Sequence, residues 1–121
     1  MKRCLIVDDS RTVRVVAARF LRDLQFQTTE AGDGFEALDE CRKAMPDAVL
    51  LDWNMPRMNG IQFLRALRQE PGGDKPVVIF CTTENEMSFI AEALEAGANE
   101  YVMKPFDETI IAAKFAAVGL V

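Results

Sequence analysis

The 121-residue sequence contains no histidine. Without an imidazole, the chain offers no histidine metal ligand, no histidine general base and no phosphohistidine of its own. It also lacks any apolar run near the roughly 18 residues that cross a bilayer. The short apolar stretch behind Met1 stops at two acidic residues, unlike a signal peptide. We therefore expect a protein of the cytoplasm with no membrane association.

Basic residues are also fewer than acidic residues. The chain has 14 lysines and arginines against 19 aspartates and glutamates, a net charge of −5, which argues against a nucleic-acid partner bound through a basic face. The three cysteines, Cys4, Cys41 and Cys81, are odd in number and lie in or beside apolar stretches. Reduced, buried thiols are the expected state.

What the chain does contain is an alternation of strand-like and helix-like segments. Half of the residues are apolar, as in globular domains. Strands are predicted at residues 4–7, 27–31, 48–51, 77–81 and 101–103. The segments after each strand carry apolar residues at the three- and four-residue spacing of amphipathic helices. Five strands alternating with five helices predict a three-layer α/β sandwich with a parallel sheet. We expect a single domain over residues 1–121, with no output domain.

Several polar residues stand where the predicted strands end. Asp8 and Asp9 end the first strand and Asp52 ends the third. Thr82 and Lys104 end the fourth and the fifth. Open parallel sheets bind ligands beyond the carboxyl ends of their strands, so all five residues are expected at one edge. Each alone could be a helix cap or a surface charge, but five together favour a functional site.

These residue types indicate phosphoryl chemistry. Three carboxylates in one place repel one another unless a cation holds them. Oxygen ligands without histidine or cysteine favour Mg2+, with Mn2+ as an alternative. Asp52 could attack phosphorus to form an acyl phosphate, while Mg2+ and Lys104 neutralise the transition state. Thr82 could donate its hydroxyl to a phosphoryl oxygen.

The same residues lie in motifs that resemble the receiver domain of two-component response regulators, of the single-domain chemotaxis type. The likeness covers essentially the whole chain. The motifs that carry it are Asp8-Asp9-Ser10, Asp52-Trp53-Asn54-Met55-Pro56, Asn59-Gly60, Thr82, Ala96-Gly97-Ala98, Tyr101 and Lys104-Pro105-Phe106. The resemblance implies a flavodoxin-like (βα)5 fold with strand order 2-1-3-4-5.

The resemblance also implies a phosphorylation-dependent signalling switch. A sensor histidine kinase or a histidine phosphotransfer protein would phosphorylate Asp52 from its own phosphohistidine. The ligands of Mg2+ would be Asp9, Asp52 and the backbone carbonyl of Asn54, with Asp8 helping through water. Lys104 would bind phosphoryl oxygens, and the bond from Lys104 to Pro105 would be cis.

The resemblance further implies that Thr82 and Tyr101 act as a pair of switch residues. Their movement would reshape the face made by the fourth helix, the fifth strand and the fifth helix, which would signal to an unidentified protein partner. The chain would thus be a phosphoacceptor rather than an enzyme, a monomer or a weak phosphorylation-dependent dimer. The apolar last helix is interpreted as a packed, alanine-rich helix, with one edge as a possible partner surface.

Two adjacent threonines leave the switch position open between Thr82 and Thr83. The register from Gly97 and Lys104 favours Thr82. Thr83 then stands where the resembled family prefers a smaller residue, so it is expected to narrow access to Asp52 and slow attack by small phosphodonors.

Other positions are expected to adjust rates and partner choice. Asn54 and Glu84 flank the site at positions that tune dephosphorylation in the resembled family. Kinase specificity is expected to lie in exposed residues near the first helix. These residues are Arg11, Thr12, Arg14 and Val15.

Three alternatives stay open. A degenerate receiver that acts as an unphosphorylated scaffold would lack part of the site, but all five residues are present. A phosphohydrolase with an aspartyl-phosphate intermediate would resemble the haloacid-dehalogenase family, whose motif has a second aspartate as general acid at the position where Asn54 stands. A flavodoxin-like electron carrier needs a phosphate-binding loop after the first strand, where Asp8 and Asp9 would repel a phosphate.

Overall fold

The computed structural model describes residues 1–121, apart from the side chain of Glu84. Strands and α-helices alternate along the chain, and a 3₁₀ helix (Glu84–Phe89) precedes the fourth α-helix. In chain order the elements are β1 (Arg3–Val7), α1 (Arg11–Asp23), β2 (Gln27–Ala31), α2 (Gly34–Lys43), β3 (Ala48–Asp52), α3 (Gly60–Gln69), β4 (Val77–Thr82), α4 (Ile90–Glu95), β5 (Glu100–Met103) and α5 (Glu108–Ala117).

The five strands form one parallel sheet in the order β2-β1-β3-β4-β5. This confirms the predicted architecture and strand order. The register aligns the carboxyl ends of the strands: Val7 pairs with Leu51, and Asp52 pairs with Cys81. Residues that follow β1, β3, β4 and β5 therefore meet along one edge.

The sheet is buried on both faces, because successive strand residues point to opposite sides. One face packs under α2, α3 and α4, and its strand residues include Leu5, Val49 and Phe80. The other packs under α1 and α5 and includes Ile6 and Leu50. Unbroken apolar strands are thus explained by helices on both sides.

The bulkiest core side chains are aromatic. Phe63, Phe80 and Phe115 are all fully buried, and burial of such a side chain stabilises a fold by roughly 1.5–3 kcal/mol. Phe115 belongs to α5, whose Ile111 is buried as well, whereas Ile110 on the same helix is 40% exposed. The last helix is therefore packed along one side and apolar in part on the other.

Side-chain caps set where the helices begin. Ser10 accepts a hydrogen bond from the backbone N–H of Val13 at the start of α1. Asp33 caps α2 and Asp107 caps α5 in the same way. Asn59 forms a reciprocal capping box with Gln62 at the start of α3. Each cap satisfies backbone N–H groups that the helix leaves unpaired.

The fourth helix differs from the sequence expectation. Residues 84–89 form a 3₁₀ helix, and only Ile90–Glu95 is α-helical. Gly97, with φ +116°, follows the C-terminal end of α4, where a left-handed backbone favours glycine. A short α4 behind a 3₁₀ turn has fewer regular backbone hydrogen bonds than the other helices.

Among the residues the structure describes, no helix has the length and apolar character needed to cross a bilayer.

Candidate functional site: an acidic cluster at the strand ends

Three carboxylates converge at the carboxyl edge of the sheet. Asp8 follows β1 and is 3% exposed, and Asp52 ends β3 and is 5% exposed. Asp9 lies beside them on the solvent side. One carboxylate oxygen from each of the three lies within 4.8 Å of the others. The structure thus brings together the residues that the sequence assigned to one edge.

The Lys104 ammonium bridges two of these carboxylates. Its Nζ donates to Asp8 Oδ2 at 2.6 Å and to Asp52 Oδ1 at 2.9 Å. Burial lowers the pKa of Lys104, but the hydrogen bonds to Asp52 and Asp8 outweigh burial and raise it above its usual value. The lysine therefore stays charged at neutral pH and offsets part of the repulsion between the acids.

The pKa of Asp52 is raised to about 6. The largest cause is burial, which disfavours the charged carboxylate. Lys104 opposes this shift, while the neighbouring charges of Asp8 and Asp9 add to it. At neutral pH Asp52 is mostly ionised, the state that a nucleophilic carboxylate requires.

A close approach of α3 fixes the backbone of Asp52. The Gly60 N–H donates to the carbonyl of Trp53 at 2.9 Å. A Cβ at position 60 would lie 2.3 Å from the Asp52 carbonyl oxygen, so only glycine fits there. The loop between β3 and α3 is therefore closed tightly behind the central carboxylate.

The two threonines occupy different environments. Thr82 is fully buried at the end of β4, where it pairs with Met103. Its Oγ1 donates to the Thr83 carbonyl at 3.2 Å. Thr83 is half-buried and lines a cavity of about 340 Å³ that also borders Lys104. Thr82 thus belongs to the strand end, and Thr83 to the entrance beside it.

The remaining predicted site residues lie around this centre. Tyr101 on β5 is partly exposed, with the Lys114 ammonium 4.6 Å from its ring centroid. Asn54 is exposed in the loop after β3, and the peptide bond from Lys104 to Pro105 is cis. The side chain of Glu84 lies outside the described residues.

One expectation about the first helix is wrong. Arg14 was expected to be an exposed specificity residue, but its side chain is only 18% exposed. Its guanidinium donates to the Asp8 carbonyl at 2.7 Å and to Glu30 Oε1 at 3.0 Å. The spacing on α1 indicated only a polar position, and the two acceptors come from other parts of the chain. Arg11, Thr12 and Val15 are exposed as expected.

Two further contacts beside the site could not be predicted from the sequence pattern. Trp53, next to Asp52, stacks on Phe89 of the 3₁₀ helix with ring centroids 4.1 Å apart. Arg57 has φ +67° and forms an ion pair with the buried Asp33, whose pKa it lowers. Both contacts tie the loop after β3 to neighbouring elements.

The donor set fits a hard divalent cation. Three carboxylates and one ammonium leave the cluster with a net negative charge, and its donors are oxygen atoms. Mg2+ and Mn2+ favour such ligands. The arrangement could therefore hold a cation beside a carboxylate nucleophile, with an ammonium facing the same space.

The site is thus a buried aspartate at a strand end, flanked by two acids and a lysine, in a (βα)5 sandwich. The chain matches the family described as response regulator receiver domain over residues 4–116. It therefore belongs to the response regulator receiver domain family, whose members are regulatory phosphoacceptors of two-component signalling.

Individual relatives narrow the type within the family. The chain is 42% identical to the chemotaxis protein CheY of Pseudomonas aeruginosa over 113 residues, 93% of this chain and 91% of that protein. It is 43% identical to CheY-3 of Vibrio cholerae over 105 residues, 86% and 81% of the two chains. The solved structure of Vibrio cholerae CheY4 superimposes with a TM-score of 0.91 at 31% identity, covering 98% of both chains. The chain is thus a receiver domain of the CheY type.

We predict that Asp52→Asn stabilises the metal-free protein at neutral pH. Because the pKa of Asp52 is raised, the folded wild type binds this proton more tightly than the unfolded chain does. The resulting contribution of Asp52 to the free energy of unfolding is fully present below about pH 4 and is lost as pH rises through about 6. The asparagine side chain does not titrate in this range. The difference in free energy of unfolding between the variant and the wild type should therefore grow between pH 4 and 6 and then level off. One pKa unit is worth about 1.4 kcal/mol, and solvent screening reduces the effect. We expect a gain of about 1–2 kcal/mol by urea unfolding in EDTA.

Asp74→Asn is the matched control, because it removes one negative charge from an exposed position away from the cluster. Its stability should track the wild type over the same pH range. Equal stability of Asp52→Asn and wild type at pH 7 would show that Asp52 is not under electrostatic strain.

Proposed function

We propose that this protein is a signalling switch that accepts a phosphoryl group on Asp52 from the phosphohistidine of a partner, in a reaction that needs Mg2+. The observation that carries the proposal is the geometry of Lys104, whose Nζ lies 2.9 Å from Asp52 and 2.6 Å from Asp8. An ammonium at that distance is suited to contact oxygens of a phosphoryl group on Asp52.

The covalent step follows from the ionised state of Asp52. Its free carboxylate oxygen forms a bond to phosphorus as the P–N bond of the phosphohistidine breaks. The electron pair of that bond returns to the imidazole nitrogen, which takes up a proton from solvent. Charge on the transferring group's oxygens is balanced by Lys104.

The acidic residues would hold the required metal. Asp9, Asp52 and the backbone carbonyl of Asn54 are the proposed direct ligands, with Asp8 acting through water. When bound, Mg2+ neutralises charge on the phosphoryl oxygens. Asp8 also has a positioning role. Its Oδ2 accepts a hydrogen bond from the Lys104 ammonium, and its Oδ1 accepts one from the Ser10 N–H. It therefore orients the ammonium toward Asp52.

We predict that acetyl phosphate with Mg2+ adds one phosphoryl group to the wild-type protein. Intact mass spectrometry should show the gain, and EDTA should abolish it. Asp52→Asn should show none, whereas Asp47→Asn, which removes an exposed carboxylate at the opposite edge of the sheet, should behave like the wild type. A phosphoryl gain by Asp52→Asn, or one that persists in EDTA, would contradict the assignment.

Thr83 is proposed to restrict access to Asp52. It lines the cavity beside Lys104, together with Thr12 and Pro105. Thr83→Ala should therefore accelerate phosphorylation by acetyl phosphate about threefold to tenfold, with an unchanged final mass. Thr12→Ala, which makes the same side-chain change at a residue of α1 lining the same cavity, is the control. An unchanged rate for Thr83→Ala would remove the gating role.

Output is proposed to pass through the face formed by α4, β5 and α5. Thr82 would turn its hydroxyl from the Thr83 carbonyl toward the phosphoryl group, and Tyr101 would move inward behind it. Support for the face comes from exposed apolar residues on its two helices, Leu94 at 45% and Ile110 at 40%. β5 is the edge strand between these helices.

Beryllofluoride with Mg2+, which mimics an aspartyl phosphate, provides the test of this face. Backbone amide shifts in NMR spectra should change at the site and along α4, β5 and α5, with little change in α2. The same experiment on Thr82→Val should retain the shifts at the site and lose those of the face. Shift changes confined to the site in the wild type would contradict the proposed output surface.

The scaffold alternative is disfavoured by the same geometry. A receiver that is never phosphorylated has no need to keep two buried carboxylates against one lysine, since buried charges of like sign are costly. Asn54 gives no carboxyl group to a hydrolase mechanism at the position where a second aspartate is needed.

A further inference from the structure

We propose that Arg14 is a positioning residue for the metal site, because it fixes the peptide group that carries Asp9. The inference rests on the proposed Mg2+ site and assigns a role to a residue outside the acidic cluster. Arg14 lies on the first turn of α1, and its guanidinium contacts the backbone between Asp8 and Asp9 rather than any carboxylate of the cluster.

The contact is made at two points. Nη1 donates to the Asp8 carbonyl oxygen at 2.7 Å, and Nε donates to Glu30 Oε1 at 3.0 Å. Glu30 lies on β2, next to β1 in the sheet. The planar guanidinium is therefore anchored on a strand at one side and holds the turn after β1 at the other.

This contact completes the restraint of Asp8 and its following peptide group. The Asp8 N–H donates to the Ala31 carbonyl at 3.1 Å, and both carboxylate oxygens are engaged, one by Ser10 and one by Lys104. The Asp8 carbonyl is the next group along the chain, and it belongs to the same peptide plane as the Asp9 N–H. Because Arg14 holds this carbonyl in place, it also restrains the backbone at Asp9, to which the Asp9 side chain is attached.

Asp9 is the member of the cluster that depends most on this backbone. Asp8 and Asp52 are buried and hydrogen-bonded to Lys104, whereas Asp9 is exposed. Solvent around a side chain does not hold its direction, so the orientation of the Asp9 carboxylate follows from the turn. A displaced turn would leave the other two acids in place and move Asp9 away from the metal.

Charge alone predicts the opposite effect from positioning. A guanidinium near a cation site repels the cation, so its removal should tighten Mg2+ binding if electrostatics dominates. The ion pair with Glu30 offsets that repulsion. If positioning dominates, removal should weaken binding, as for residues that orient metal ligands from outside the coordination sphere. The sign of the change therefore separates the two effects.

The test is a Mg2+ titration of Arg14→Gln by isothermal calorimetry, with the wild type and Arg11→Gln alongside. We expect the Kd of Arg14→Gln to rise about tenfold, and the Asp9 amide shift in NMR spectra to change before any metal is added. Arg11 is exposed, and it lies closer in sequence to Asp9. Its replacement removes the same charge without touching the turn, so its Kd should stay equal or fall.

Arg14→Lys keeps the charge and a donor but gives up the two-point contact. Its Kd should lie between those of the wild type and Arg14→Gln, and it carries the test if the glutamine variant does not fold. An Arg14→Gln protein that is folded and binds Mg2+ as tightly as the wild type, or more tightly, would overturn the inference. A wild type that binds no Mg2+ would instead overturn the proposed function on which it rests.

Discussion

The site depends on the ion pairs of the Lys104 ammonium with Asp8 and Asp52. Two buried carboxylates, those of Asp8 and Asp52, lie within hydrogen-bond distance of this one ammonium. Buried like charges cost several kcal/mol when unpaired, and a single ammonium cannot balance three carboxylates. The cluster is thus stable enough to persist and still short of positive charge. That deficit is the basis of the proposed divalent cation, whose charge would also be needed before an anionic phosphodonor could approach.

The fold produces this concentration of charge by aligning strand ends. Parallel strands in register end at one edge, and the helices on both faces bury the three central strands, β1, β3 and β4. The tight approach of Gly60 to Asp52 and the two-point contact of Arg14 then restrain the loops after β3 and β1. The proposed metal ligands are thereby held at the edge of a buried sheet, while Thr82 and the short α4 lie on the side of the molecule proposed to move.

Sequence pattern predicted the sheet and the main site residues because both follow from local rules. Apolar runs that stop at Asp8, Asp52 and Lys104 mark strand ends, and strand ends in a parallel sheet share an edge. The role of Arg14 could not be predicted, since its acceptors are the carbonyl of Asp8 and the side chain of Glu30. The stacking of Trp53 on Phe89 was missed for the same reason. Both contacts join parts of the chain whose relative placement only the assembled fold determines.

The most direct test of the central claim is to locate the phosphoryl group chemically. Borohydride reduces an acyl phosphate on aspartate to homoserine, which tandem mass spectrometry distinguishes from aspartate at each position. After treatment with acetyl phosphate and Mg2+, we expect homoserine at position 52 and unmodified aspartate at positions 8 and 9. Homoserine at Asp8 or Asp9, or a phosphoryl group on a residue other than aspartate, would contradict the assignment of Asp52 as the phosphoacceptor.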